Sequence, residues 1–311
     1  MKTSVVLTTY NGEKYLLDLL DSLRLQTVEI DEVLICDDCS TDRTVAVLED
    51  YIRKNRLMKW RIITNDKNVG WERNFKNGLL NAKYDIVFPC DQDDIWFTTK
   101  VEKMLEVFGD DSCILVASDY LMIGADSKVI NTKGSTLDTR IKLHNNLQRL
   151  KFDEHFYSIL RPGCTMAFRK EILDIFRITW GCGTPHDAVL WSVAVLLDGL
   201  YLLREPLVYY RRHDKNASNK ISHSYIYKLN EAERTIRIID WYSKSAVYDK
   251  EKEDILIGCK KWCDLRVRLL KEHDFIKWFE LWLHKKYYVT IKKWFADLYY
   301  FFRGLEYGNY A

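Results

Sequence analysis

Asp85-Ile86-Val87-Phe88-Pro89-Cys90-Asp91-Gln92-Asp93-Asp94-Ile95-Trp96 carries a short apolar run directly into three carboxylates within four residues. Four to six apolar residues bounded by turn chemistry read as a buried strand, so the acidic cluster sits at a strand's carboxyl end. Like charges this close repel one another. A Mg²⁺ or Mn²⁺ ion, sharing its shell between one or two of these carboxylates and diphosphate oxygens, relieves that repulsion. Taken alone, the cluster is also what a solvated acidic turn or helix N-terminus looks like.

The same pattern recurs upstream. Thr3 to Thr9 reads as a buried strand, and Glu13 to Gln26 as a helix with Leu16, Leu19, Leu20 and Leu23 at helical spacing. Val33 to Cys36 is a second strand, ending in Asp37-Asp38. Ser40 is placed to cap a helix running to Arg56, with Val45, Leu48 and Ile52 facing inward. Trp60 to Thr64 gives a third strand, and Trp71 to Ala82 a further helix. Strands alternating with helices predict an α/β fold with a mainly parallel sheet and right-handed crossovers. In such sheets ligands bind beyond the carboxyl ends of the strands, which is where both acidic groups fall.

Composition sets the remaining bounds. With 311 residues, 47% of them apolar, the chain can bury a large core, and a net charge of +2 gives no reason to expect nucleic acid as partner. The charge is uneven, however: Cys259 to Arg303 holds eleven Lys or Arg against five Asp or Glu. The opening residues lack the apolar core of a signal peptide, and no run is long enough for a membrane-spanning helix, so retention in the cytoplasm is expected. The eight cysteines then read as reduced thiols. A zinc site from Cys36, Cys39, Cys259 and Cys263 is conceivable, but the first pair flanks two aspartates at a strand end, which weighs against it. All four prolines, Pro89, Pro162, Pro185 and Pro206, lie in or near segments with candidate chemistry, and none follows. Tyr225 to Arg303 has one glycine, Gly258, and reads as a helical module.

Thr8-Thr9-Tyr10-Asn11-Gly12, Ile35-Cys36-Asp37-Asp38-Cys39-Ser40-Thr41-Asp42, Asn68-Val69-Gly70-Trp71-Glu72-Arg73-Asn74 and the acidic turn occur together, in this order. Together they resemble glycosyltransferase family 2, over roughly the first 215 residues. The closest likeness is to its rhamnosyltransferase-like subgroup, carried by Asp91-Gln92-Asp93-Asp94-Ile95-Trp96, Gly163-Cys164-Thr165-Met166-Ala167-Phe168 and Tyr210-Arg211-Arg212-His213. The resemblance implies a GT-A fold, with a catalytic domain over 1–224 (nucleotide-binding half 1–118, acceptor half 119–224) and a helical C-terminal module over 225–311. It further implies that Thr8, Tyr10, Asp38, Asn68, Gly70, Arg73, Asp91 and Gln92 surround a nucleotide-sugar donor. Asp91, Asp93 and His213 would hold Mn²⁺ or Mg²⁺, with Asp94, Arg211 and Arg212 nearby. Those arginines are alternatively phosphate grips, for which the planar fork is well shaped.

Direct displacement at an anomeric carbon needs a base for the acceptor hydroxyl. Asp187, at the start of an apolar helix after Pro185, is the candidate. Gly163, Cys164 and His186 would belong to the acceptor side or its loops. Most relatives have Glu-Asp where this chain has His186-Asp187, which leaves the carboxylate but not a settled role for the histidine. The implied activity is an inverting, non-processive transfer, of rhamnose from dTDP-rhamnose or of another nucleotide-linked sugar, onto a glycan or lipid-linked acceptor of a surface polysaccharide (O-antigen or capsule). Aromatics interleaved with lysines between Lys277 and Phe302 suit an anionic membrane surface, and equally suit packing on the rest of the chain. Two alternatives stay open on the sequence: a sugar-phosphate nucleotidyltransferase, although its glycine-rich basic loop is missing, and a non-catalytic membrane-associated scaffold, against which the retained carboxylates argue.

Overall fold

The computed structural model describes residues 1–130, 146–214, 216 and 225–308. They divide into two compact units: 1–150 with 160–177 and 198–213, and 151–159 with 178–197 and 214–311. The division is thus not a single cut in the chain.

In the first unit, nine strands form one sheet: β1 (Thr3–Thr9), β2 (Glu32–Asp37), β3 (Trp60–Thr64), β4 (Ile86–Asp91), β5 (Ile95–Trp96), β6 (Leu115–Ile123), β7 (Leu147–Arg149), β8 (Met166–Arg169) and β9 (Leu200–Arg211). Their order is β3-β2-β1-β4-β8-β6-β9-β5, with β7 on β9. The first four strands run parallel, and β8 is antiparallel to both of its neighbours. The sheet is therefore mixed. Pro89 can sit in this interior strand because β8 pairs only with Ile86 and Val87, so no hydrogen bond is lost where the proline has no N–H.

Four helices, α1 (Leu16–Arg24), α2 (Thr44–Asn55), α3 (Trp71–Leu80) and α4 (Lys100–Val107), flank the sheet, and α5 (Ile172–Thr179) follows β8. Leu16, Leu19, Leu20 and Leu23 are buried with Leu7, Ile35 and Phe88, as their helical spacing requires. Two helices start later than the sequence pattern suggests. Before α1, Tyr15 N–H turns back to the Gly12 carbonyl. Before α2, Ser40 does not cap: its hydroxyl and N–H donate to Asp37, and Asp42 accepts from the Thr44 N–H instead. A side chain that satisfies a strand-end carboxylate cannot also face the helix, so the turn extends by one more loop.

The second unit is helical: α6 (His186–Leu196), α7 (Tyr225–Tyr242), α8 (Glu253–Lys271), α9 (Ile276–Glu280) and α10 (Ile291–Gly308), with a 3₁₀ segment over Leu281–Tyr287. Apart from Asp187, every residue of α6 is buried, which makes it a core helix apolar on all sides. Below it in sequence, Arg266 is clamped by Asp297 (2.8 and 3.0 Å) and Glu231 (3.2 Å), all within the helical core. Trp278 and Trp294 stack at 4.0 Å and exchange indole N–H to carbonyl bonds. Phe279, Trp282, Leu283, Phe295, Tyr299 and Phe302 are exposed. No helix among the described residues is long and apolar enough to cross a membrane.

Candidate active site

Strand register brings the acidic groups level. Thr8 lies beside Cys36 on one side and Asp91 on the other, and Thr9 lies opposite Asp37. Asp37–Asp38 and Asp91–Asp94 therefore leave the same edge of the sheet from strands on either side of β1. This is the crevice position that a parallel sheet offers a ligand.

Its floor is a laced set of loops. Asp37 is fully buried and accepts from the Thr9 hydroxyl at 2.7 Å and from Ser40. Asn11 holds the following turn, its Oδ1 accepting from Thr41 N–H at 2.8 Å and Asp42 N–H at 3.3 Å. Asp38 is also buried; it accepts from Asn65 at 2.9 Å and from the Val69 and Gly70 N–H groups at 2.8 and 2.9 Å. A carboxylate with three donors of its own fixes the 65–70 loop and keeps little free capacity. Gly70 has a φ of 87°, where a side chain is strained, and its N–H also meets Asn68 Oδ1 at 3.1 Å. Arg73 is exposed in the first turn of α3, and the ring of Tyr10 is 45% exposed at the sheet edge, open for stacking against a planar group.

Gln92 is a tether. Its amide exchanges two bonds with the backbone of Tyr10, accepting at 2.8 Å and donating at 3.0 Å. The turn between the carboxylates is thereby tied to the loop after β1.

The three aspartates of that turn face different surroundings. Asp93 is half-buried, and its Oδ2 lies 2.7 Å from His213 Nε2, contributed by the residues just after β9. Asp91 is half-buried at the end of β4. Asp94 is fully buried: Oδ1 accepts from the Arg211 N–H at 2.9 Å, and the Cys164 thiol lies against the carboxyl. Burial, with the charge of Asp93 added to it, pushes the Asp94 carboxyl up to about 7.

Arg211 is itself entirely buried. Its side chain donates to the Asp93 carbonyl, the Gly124 carbonyl and Ser127, reaches Asp18 at 3.4 Å, and lies over the Tyr15 ring. Its donors thus hold the protein together around the acidic turn, which leaves a phosphate grip to other groups. Arg212 stacks loosely over Tyr210. Lys100 went unnoticed in the sequence, because a lysine in an amphipathic helix reads as solvated. It is buried, donates to the Cys164 carbonyl at 2.5 Å and lies 3.6 Å from the centre of the Trp96 ring, and burial draws its ammonium down to about 8. Gly163 and Cys164 lie buried in the 3₁₀ turn Gly163–Thr165.

Two donor sets deserve comparison as cation sites. Asp91, Asp94 and Cys164 present ligand atoms within 4.8 Å of one another. Burial pushes the Cys164 thiol well above its ordinary range, and the Lys100 ammonium already occupies that neighbourhood, so a hard ion is poorly served there. The set expected from the sequence, Asp91, Asp93 and His213, is brought together only in part: Asp93 Oδ2 meets His213 Nε2 at 2.7 Å, whereas Asp91 groups with Asp94 and Cys164.

Asp187 and His186 belong to the second unit, in the first turn of α6. Asp187 Oδ1 is buried with no hydrogen-bond partner among the described residues. His186 is 4% exposed, and burial pushes its imidazole below the usual range, toward the neutral form. Cys259 and Cys263 are buried in α8 of the same unit, whereas Cys36 and Cys39 stand at the end of β2 in the first.

The family profile described as Glycosyl transferase family 2 matches residues 4–176, more than half of the chain. The chain belongs to this family. This glycosyltransferase is 27% identical, over 68% of its length and 72% of the relative's, to a dTDP-rhamnosyl transferase, RfbG, of Shigella flexneri. Its fold superposes on Staphylococcus aureus TarS in complex with UDP-GlcNAc with a TM-score of 0.63 at 19% identity, covering 98% of this chain and 81% of the other. It also superposes on a Pyrobaculum calidifontis mannosyltransferase in complex with GDP-Man and Mn²⁺, with a TM-score of 0.54 at 14% identity over 98% and 86% of the two chains. The fold is thus the GT-A type, a mixed α/β sheet with flanking helices, followed by a helical C-terminal region. Family membership sets aside the nucleotidyltransferase and the non-catalytic scaffold.

Proposed function

We propose that this glycosyltransferase is an inverting, non-processive, metal-dependent enzyme that takes rhamnose from dTDP-rhamnose and places it on a glycan or lipid-linked acceptor during assembly of a surface polysaccharide such as O-antigen or capsule. The observation that carries the donor half of this reading is the levelling of Thr8, Asp38 and Asp91 to Asp93 along one sheet edge, with His213 on Asp93. The choice of rhamnose rests on the likeness to the relative named a dTDP-rhamnosyl transferase.

In this mechanism Tyr10 stacks on the base, while Thr8, Asp38, Asn68, Gly70 and Arg73 border the nucleoside. Asp91 and Asp93, with His213 orienting or joining them, would hold Mn²⁺ or Mg²⁺. When bound, the ion neutralises the diphosphate and so lowers the cost of its departure. Asp187 takes the proton of the acceptor hydroxyl. The freed oxygen forms a bond to the anomeric carbon from the face opposite the diphosphate, the bond to the diphosphate breaks with its electron pair, and the configuration inverts. An Asp187 oxygen that is buried with no hydrogen-bond partner among the described residues is suited to receive a substrate hydrogen bond. The exposed aromatics of the 275–302 region, with lysines among them, suit peripheral attachment to the cytoplasmic face of a membrane.

The test is a panel of nucleotide sugars followed by thermal unfolding with and without Mn²⁺, with the product's anomeric configuration read by NMR. A ligand that binds only the folded state raises the melting point. dTDP-rhamnose is expected to stabilise most, in Mn²⁺ only. Stabilisation by another donor alone would overturn the choice of sugar, and a product retaining the donor's configuration would overturn inversion.

A further inference from the structure

Lys100 opens α4, and no part of it reaches solvent. Taking an ammonium out of water is costly, so its neighbours must offset the loss. Burial disfavours its charge, while Cys164, Cys90, Asp94 and Asp91 stand near enough to favour it. Its hydrogen bond goes to the Cys164 carbonyl at 2.5 Å, and its ammonium lies 3.6 Å from the centre of the Trp96 ring.

These partners come from two pieces of the site. Trp96 follows the acidic turn in β5, and its N–H donates to the Ser22 hydroxyl of α1. Cys164 is the middle residue of the Gly163–Thr165 turn. Thr165 closes that turn on the Pro162 carbonyl, and the Ser118 hydroxyl reaches the Thr165 carbonyl at 3.4 Å. Lys100 adds a short, charged tie from another element. What the tie holds is the Cys164 thiol, which lies against the Asp94 carboxyl. Asp94 in turn accepts from the Arg211 N–H at 2.9 Å, and the Arg211 side chain donates to the Asp93 carbonyl. One series of contacts thus runs from the buried lysine to the carboxylates at the sheet edge.

We infer that Lys100 is a positioning residue of the transfer site: its ammonium clamps the Gly163–Thr165 turn and, through the Cys164 thiol, keeps the Asp91–Asp94 turn in the form that receives a divalent ion. The lysine acts through Cys164 and not on the donor itself. The link to the ion rests on the metal-dependent reading above, whereas the clamp does not.

Lys100→Met keeps the length of the side chain and removes its charge. The first readout needs no metal: the rate at which iodoacetamide alkylates each cysteine of the full chain, followed by mass spectrometry. Buried thiols react only as they open, so the rate reports local opening. Cys164 should react about tenfold faster than in the parent, the size of one lost charge-assisted hydrogen bond, while Cys113 and Cys259, both buried elsewhere, keep their rates. Cys164 no faster, or all three faster alike, overturns the clamp. So does loss of the fold in circular dichroism, which would make Lys100 a support of the core as a whole.

The second readout is Mn²⁺ binding in the presence of dTDP, followed by the electron paramagnetic resonance of the free ion. Lys100→Met should weaken it about tenfold. Cys164→Ala keeps the carbonyl that Lys100 grips but loses the thiol; it should weaken binding by a similar factor, and the double variant no further. Additive losses, or an unchanged Mn²⁺ affinity in either single variant, overturn the link to the acidic turn. A parent that binds no Mn²⁺ overturns the metal-dependent reading and the link with it, and the alkylation rates still decide the clamp.

Discussion

Gly12→Ala should act through Gln92, and the structure gives the size of the effect. A Cβ added at Gly12 would fall 2.1 Å from Gln92 Oε1 and 2.5 Å from its Cδ, far inside contact distance. Gln92 is the flexible partner, so its side chain must leave. Both bonds to the Tyr10 backbone go with it. Each such bond contributes about 1 kcal/mol net, and because Tyr10 is well exposed, water takes up part of the loss. Gly12→Ala is therefore expected to cost about 1–2 kcal/mol, and Gln92→Ala about the same. The double variant should cost no more than either alone, since without the glutamine there is nothing for the new methyl to displace. Urea unfolding of the parent, both singles and the double would give a coupling energy of about 1–2 kcal/mol. Additive costs would refute the reasoning, because they would mean that the methyl strains the chain by some other route. The tether also spans the turn between Asp91 and Asp93, so metal-dependent donor affinity should fall in all three variants.

Asp187→Asn should abolish most transfer while leaving donor binding near the parent's in calorimetry; unchanged turnover would remove Asp187 as the base. Asp93→Ala should erase the difference between donor affinities measured in Mn²⁺ and in chelator, and a variant that keeps this difference would place the ion elsewhere. The helical unit should lose stability in acid through Glu231. Against the tendency of burial to raise it, the surrounding cations hold its folded-state value near 2, below its ordinary 4.5. The contribution is therefore complete above about pH 4.5 and drains as pH falls toward 2, by about 3 kcal/mol in all. Glu231→Gln should flatten that part of the acid-unfolding curve, and an unaltered curve would count against the assignment.

Much of this was legible in the linear chain. Strand β1 runs from Thr3 to Thr9 and is buried throughout, as a strand covered on both faces should be, and β3 runs from Trp60 to Thr64 at the sheet's edge, where its alternation of apolar and polar residues goes with partial exposure. The helix starts were less legible. Whether Ser40 caps α2 depends on its competition with Asp37, whose demand for donors arises only once β1 and β2 lie side by side.

The sequence by itself determined that carboxylates would end two strands of an α/β sheet and that the last quarter would be helical, since both follow from residue order and periodicity. Only the tertiary structure decided what each carboxylate meets. Asp93 finds His213 across 120 positions, Asp94 is sealed beneath the Arg211 backbone, and Asp38 is committed to the 65–70 loop. Tertiary contacts likewise sank Lys100 and drew 151–159 and 178–197 into the helical unit. The reason is physical: periodicity encodes which face of an element is buried, whereas charge, desolvation and hydrogen bonding are settled between groups that the chain brings together only when it folds.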